Sequence, residues 1–286
     1  HLFGDLPVGD MIKRGWLDVD SICDVPKVEA ALTKFFGVNS SNEIETLPHA
    51  AKKTNVSTPV TPAQLAWIYR VKEIASEMIV ARYSQASVLE AIKKLEALLS
   101  APEEARKVPR ILTECGIRYV LVESLPSAKI DGVCLWLNDK SPVIGMTLRH
   151  DRIDNFWFVL RHELEHVLRL HGRTAIMLDT ELEGKRAGTG SDIEEEERVA
   201  NEAAENFCVP KQILDRFIAR KAPFFATHDL LGFAKTLQIH PGIVAGQLQH
   251  RTGDYKRFRD YLVKIRHAVA PSAIVDGWGN ITPTGI

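Results

Sequence analysis

Two histidines four residues apart, with a glutamate directly after the first, sit inside an apolar run: His162-Glu163-Leu164-Glu165-His166. No other feature restricts the chain as much. On an α-helix, positions i and i+4 lie about 40° apart around the axis and roughly 6 Å apart along it, so both imidazoles reach one tetrahedral Zn²⁺. Glu163 then lies beside the metal, free for proton transfer. The flanks argue against two unrelated histidines on a surface helix: Phe156-Trp157-Phe158-Val159-Leu160 precedes the motif and Val167-Leu168-Arg169-Leu170 follows it. A helix apolar round most of its circumference is buried. Burying two histidines and two glutamates in it is costly unless they are paired or bound to a metal.

With 286 residues, 45% of them hydrophobic, the chain can form one large domain or two modest ones, which excludes a disordered chain. A net charge of −1 gives no support for non-specific attraction to nucleic acid or membrane. Charge is uneven all the same: Glu194 to Glu197 are acidic, while Arg251, Lys256, Arg257, Arg259, Lys264 and Arg266 make the C-terminal segment basic. Such runs read as solvated helix faces. Cys23, Cys115, Cys134 and Cys208 are scattered without a C-x-x-C pair, which points to a reducing cytoplasm. Neither a transmembrane stretch nor a signal peptide is evident. The chain starts at His1 rather than methionine, which suggests a fragment with something functional upstream.

Along the chain, short helices are expected at Val8 to Lys13 and Val28 to Phe36, and residues 37 to 60 read as a linker. Thr61-Pro62-Ala63-Gln64 combines a capping box with proline at the first helical position and opens a helix to about Tyr83. Ser87-Val88-Leu89-Glu90 repeats the box for a helix to about Leu99, and a third runs from near Pro102 to Gly116. Strands follow at Ile117 to Glu123, Val133 to Asn138 and Val143 to Leu148, with a tight turn at Asp139-Lys140. They are expected to form a small antiparallel sheet. The motif helix runs from Asp151 to about Gly172; residues 183 to 191 are a loop; helices follow at Ile193 to Phe207, from Pro210, at Asp229 to Leu237 and at Pro241 to His250. This is an α+β chain, mostly helical, with a three-stranded antiparallel sheet packed on the HExxH helix.

A catalytic zinc site has three protein ligands and one open position, so the motif needs another donor. Glu197, 31 residues after His166, is the choice, with Glu194 and Glu196 as weaker candidates because a helix presents one face to a metal. Ala200, Ala203 and Ala204 would let that acidic helix approach closely.

The pattern D-x-F-W-F-x-L-x-HELEH from Asp154 to His166, with E-x-x-A-N from Glu197 to Asn201 and F-x-V-P from Phe207 to Pro210, resembles the ImmA/IrrE family of zinc metallopeptidases. The resemblance covers residues 61 to 215. It implies a zincin-like domain there, with zinc on His162, His166 and Glu197 and with Glu163 as the catalytic residue. Gly4 to Trp16, Phe35 to Val38 and Ile239 to His250 look like the flanks of longer members, labelled HigA-like antitoxins or regulators, in which a Cro/C1-type helix-turn-helix precedes the peptidase. The division implied is a helical segment and linker at 1–60, a peptidase domain at 61–215 and a helical region at 216–286. Two positions depart from the family: Glu165 stands where a small residue is usual, and Asn201-Glu202-Ala203-Ala204 lacks an aromatic.

Hydrolysis of a peptide bond in a repressor or antitoxin, in a stress, phage or toxin-antitoxin response, is the function this resemblance implies. Val143 to Leu148 would be an edge strand aligning the substrate by β-augmentation. A DNA-binding regulator or antitoxin whose peptidase-like part senses a partner and cleaves little is the alternative, with DNA bound through a helix-turn-helix upstream of His1. A structural zinc site is a third reading, which a fourth protein ligand would favour. His150, Arg149 and His171 read as surface or helix-end residues, Cys208, Phe156 and Trp157 as core, and His240 and His250 as unrelated to any metal. The pair of helices from Asp229 to His250 reads as packing rather than a base-reading unit.

Overall fold

The computed structural model describes residues 2–44, 47, 51–53, 60–180, 182 and 195–277. The N-terminal part contains α1 (Leu2–Asp5), α2 (Val8–Lys13), α3 (Val25–Phe36), α4 (Ser41–Ile44) and β1 (Ala51–Lys53). Next come α5 (Pro62–Glu77), α6 (Gln85–Glu96), α7 (Val108–Glu114), β2 (Arg118–Val122), β3 (Ile130–Trp136) and β4 (Pro142–Met146). The motif helix α8 (Ile153–Leu168) is followed by β5 (Ile176–Thr180), α9 (Glu195–Cys208) and α10 (Lys211–Lys221). The last elements are α11 (Thr227–Leu237), α12 (Pro241–Thr252), α13 (Arg266–Val269) and β6 (Ile274–Asp276).

The α+β class is as expected, but the sheet is not. It is mixed, in the order β1-β5-β3-β4-β2-β6, rather than three antiparallel strands. Only β3 runs antiparallel to its neighbours, β4 and β5; β2 pairs parallel with both β4 and β6, and β1 parallel with β5. The β3–β4 hairpin forms as anticipated, while β2 passes to the far side of β4. Burial explains the arrangement: every residue of β4 is buried, as is nearly all of β2 and β3. Continuous apolar strands suit a sheet covered on both faces, where parallel pairing is common. It follows that β4 is an interior strand and cannot be the peptide-aligning edge.

Side chains alternate between the two faces. Tyr119, Leu121, Cys134, Ile144, Met146 and Met177 point into the layer built by α6 to α13. Val120, Val122, Val133, Leu135, Val143 and Leu178 point into the layer of α2, α3 and α5. Gly145 lets α5 lie close, since a β-carbon there would come within 2.7 Å of Val71 Cγ1.

Thr61 caps α5 as expected: its hydroxyl accepts from the Gln64 amide at 3.3 Å and Gln64 Oε1 accepts from the Thr61 amide at 3.0 Å. The helix ends at Glu77 and not near Tyr83. The second box is shifted, because Ser84 and not Ser87 caps α6, accepting from the Ser87 amide. Residues 37 to 60, read as a linker, contain α4 and β1, with 45, 46, 48–50 and 54–59 outside the described residues. The loop at 183 to 191 and the first two expected residues of the acidic helix, Ile193 and Glu194, lie outside them too. The chain ends are joined through Asp276 on β6, which is 1% exposed and accepts from Trp16 Nε1 at 2.9 Å and Arg70 Nε at 2.6 Å. Among the described residues no helix is long and apolar enough to cross a membrane.

Candidate metal centre

Helix α8 is buried on nearly all sides, with Phe156, Trp157, Leu160 and Leu164 each at most 1% exposed. Each such side chain contributes about 1.5–3 kcal/mol by leaving water. That apolar burial offsets a large cost, because His162, Glu163 and His166 on the same helix are fully buried as well. Helix α9 lies along α8 with Ala200 and Ala204 buried between them, the close approach its small residues foretold. The approach carries Glu197 to the two histidines.

The four side chains His162, His166, Asp179 and Glu197 can hold a metal ion: each offers one donor atom, all within 4.8 Å of one another, and all are fully buried. His162 Nε2 and His166 Nε2 are 3.0 Å apart. Glu197 Oε2 is 3.4 Å from the first and Oε1 3.2 Å from the second. Asp179 Oδ1 is 3.4 Å from His162 Nε2, and Oδ2 is 3.8 Å from His166 Nε2. Donor bonds of about 2.0–2.2 Å in a tetrahedron put neighbouring donors about 3.3–3.6 Å apart, and the separations here, from 3.0 to 3.8 Å, bracket that value.

Hydrogen bonding on the far side of each ring supports the fit. His162 Nδ1 lies 3.1 Å from Asn201 Oδ1, an acceptor, so Nδ1 donates there and Nε2 is the nitrogen turned to the cluster. His166 Nδ1 lies 2.9 Å from His171 Nδ1. Glu197 turns both carboxylate oxygens toward the two Nε2 atoms. Lone pairs and carboxylates converging on one dry point repel unless a cation or a proton lies between them.

His171, a helix-end residue as expected, is only 17% exposed. Its carbonyl accepts from Trp136 Nε1 at 2.8 Å and from Cys134 Sγ, which fixes the turn after α8 against β3. Gly172 makes that contact feasible at φ +79, since a β-carbon there would meet the Cys134 carbonyl oxygen at 2.6 Å.

Glu163 turns toward β3. Gly132 lies below it, and Gly132 is paired across the sheet with Asp179 on β5 and Met146 on β4. The Glu163 carboxyl group is fully buried and set against Asp179. Burial first, then the charge of Asp179, push its pKa well above the usual carboxylate range in the metal-free chain. For His162, burial opposes the proton, but Asp179 and Glu197 outweigh it and raise the pKa to about 10.

Glu165 points away from the centre. Arg161 Nη2 donates to it at 2.8 Å and Arg169 Nε at 2.9 Å. Burial would raise its pKa, yet these two guanidinium groups hold it below the ordinary value. The unusual carboxylate is thus neutralised within its own helix.

Of the expected ligands, His162, His166 and Glu197 come together with Glu163 beside them. Glu196 does not join them; its nearest partner is His171 Nε2 at 4.0 Å. Glu194 lies outside the described residues. Asp179 went unanticipated: β5 was missed as a strand, and a single aspartate beyond the motif carries no spacing signal. Arg149, read as a surface residue, pairs with the buried Asp131 through Nε at 2.7 Å and Nη2 at 3.3 Å. His240 caps α12, accepting from the Gly242 amide, and His250 lies 3.9 Å from Glu205. Cys208 is buried with its thiol pKa raised by desolvation. Gly242, Ile243, Val244 and Ala245 are buried, so α12 packs in the core. No family model matches this chain, and no curated protein matches it.

Proposed function

We propose that this protein is a zinc-dependent peptidase that cleaves a peptide bond in a regulatory protein, a repressor or an antitoxin. The observation that carries the reading is Glu163: a fully buried carboxyl group beside the donor cluster, set against Asp179 and with a glycine beneath it. A structural metal site has no use for such a group, whereas hydrolysis requires a proton acceptor next to the cation. Two imidazoles with carboxylates suit zinc.

When bound, zinc polarises a carbonyl oxygen and makes a neighbouring water more acidic. Glu163 takes a proton from the attacking water as that oxygen bonds to the scissile carbonyl carbon, and returns it to the amine nitrogen as the C–N bond breaks. Asn201 and His171 keep the imidazoles in register, and Arg161 and Arg169 keep the Glu165 charge off the centre. The substrate class rests on the resemblance of the motif helix and the E-x-x-A-N helix to ImmA/IrrE peptidases.

The test joins metal analysis of wild type and His162→Ala to cleavage of neighbouring-gene products, with Glu163→Gln as control. Zinc in the wild type, its loss in His162→Ala, and cleavage abolished in Glu163→Gln with zinc kept are the expected results. Undiminished cleavage by Glu163→Gln would sink the mechanism. A structural cation site is the second reading, favoured by the fourth donor, Asp179.

A further inference from the structure

Asp179 stands where a hydrolytic centre needs room. A catalytic zinc keeps one coordination position open, whereas four protein donors close it. His162, His166 and Glu197 supply three donors, and Asp179 brings a carboxylate oxygen to 3.4 Å from His162 Nε2 with no exposure to solvent. We infer that Asp179 is a fourth protein ligand that keeps the centre closed, and that the centre opens for hydrolysis when this carboxylate moves off the cluster. The opening step rests on the peptidase reading; the four-donor coordination does not.

The strand pairing shows what holds Asp179 in place. Strands β3 and β5 pair Ile130 with Thr180 and Gly132 with Asp179, so Asp131 is the extra residue of a β-bulge. A bulge re-aims the side chain it carries. Asp131 Oδ2 accepts from the Leu182 amide at 2.7 Å, three residues beyond Asp179, while Arg149 holds the same carboxylate from the other side. Strand β5 is therefore fixed before Asp179 by its ladder and after it by Asp131. Asp131 is a positioning residue: its side chain is fastened to the backbone just past the ligand.

Zinc K-edge absorption and Co²⁺-substituted spectra of the full chain test this, with acetohydroxamate as the metal-directed probe. The wild type is expected to show four protein donors and a Co²⁺ spectrum that acetohydroxamate leaves unchanged. Asp179→Ala should show one donor replaced by solvent and bind the probe at least about tenfold more tightly than wild type. Asp131→Asn, which keeps every metal donor, should fall between them. Should Asp179→Ala fail to fold, Asp179→Asn and Asp131→Asn carry the comparison. Probe binding by wild type as tight as by the Asp179 variants would overturn the inference. These spectra need no substrate, so they separate the two readings. A closed centre that never cleaves, even in Asp179→Ala, sinks the peptidase; cleavage with an open wild-type centre sinks the gate.

Discussion

Gly132 lies directly beneath Glu163: a methyl group on its α-carbon would come within 2.1 Å of Glu163 Oε1 and 2.8 Å of Cδ. The missing side chain on β3 is the space in which the carboxyl group sits. Gly132→Ala should therefore push Glu163 aside, destabilise the fold by about 1–3 kcal/mol and lower cleavage at least about 100-fold while zinc content stays at the wild-type level. Denaturant unfolding, metal analysis and a cleavage assay on the same preparation check it. Full activity in this variant would mean that Glu163 needs no cradle.

Asn201 and His171 each fix the far nitrogen of a ligand imidazole, at 3.1 and 2.9 Å. Asn201→Ala and His171→Ala should each weaken zinc binding by about 10–100-fold. Competition with a chromophoric chelator measures this. Global unfolding curves taken alongside should move far less than the metal affinity.

Glu165 is expected to matter for the helix and not for the metal. Glu165→Ala should leave zinc affinity unchanged and cost about 1 kcal/mol, because its partners are partly solvated. The pH dependence has a definite sign. The folded pKa lies below the ordinary 4.5, so the stabilisation is present above that value and fades as pH falls through the folded one. The gap between wild-type and variant unfolding midpoints should close in acid.

Zinc removal and pH act together on His162. In the metal-free protein its pKa is raised from 6.5 to about 10, so its contribution to stability is complete below 6.5 and lost as pH rises through 10. Chelated protein should lose stability across that window. Zinc-loaded protein has no such contribution to lose, since a bound cation holds the ring deprotonated throughout, and its stability should stay level across that window. Melting temperatures with and without chelator at several pH values decide it.

Asp276→Ala should be the most damaging substitution away from the centre, at about 3–5 kcal/mol. It would strip Arg70 and the indole of Trp16 of a shared, buried partner. Urea unfolding monitored by tryptophan fluorescence gives the value.

The sequence by itself determined the local chemistry. Spacing put His162 and His166 on one face of a helix, the apolar flanks required that helix to be buried, small residues on the next helix marked where Glu197 could approach, and Thr61 announced its own cap. Each of these depends on neighbours within a few positions, where the period of the helix translates directly into geometry. Strand order, by contrast, belongs to the tertiary structure. A fully apolar strand such as β4 reads the same at an edge or in the interior, and only packing on both faces of the sheet made it central. The roles of Asp179, Gly132, Asp131 and His171 emerge the same way: cross-strand register and a bulge set them beside α8, and no interval along the chain encodes that placement.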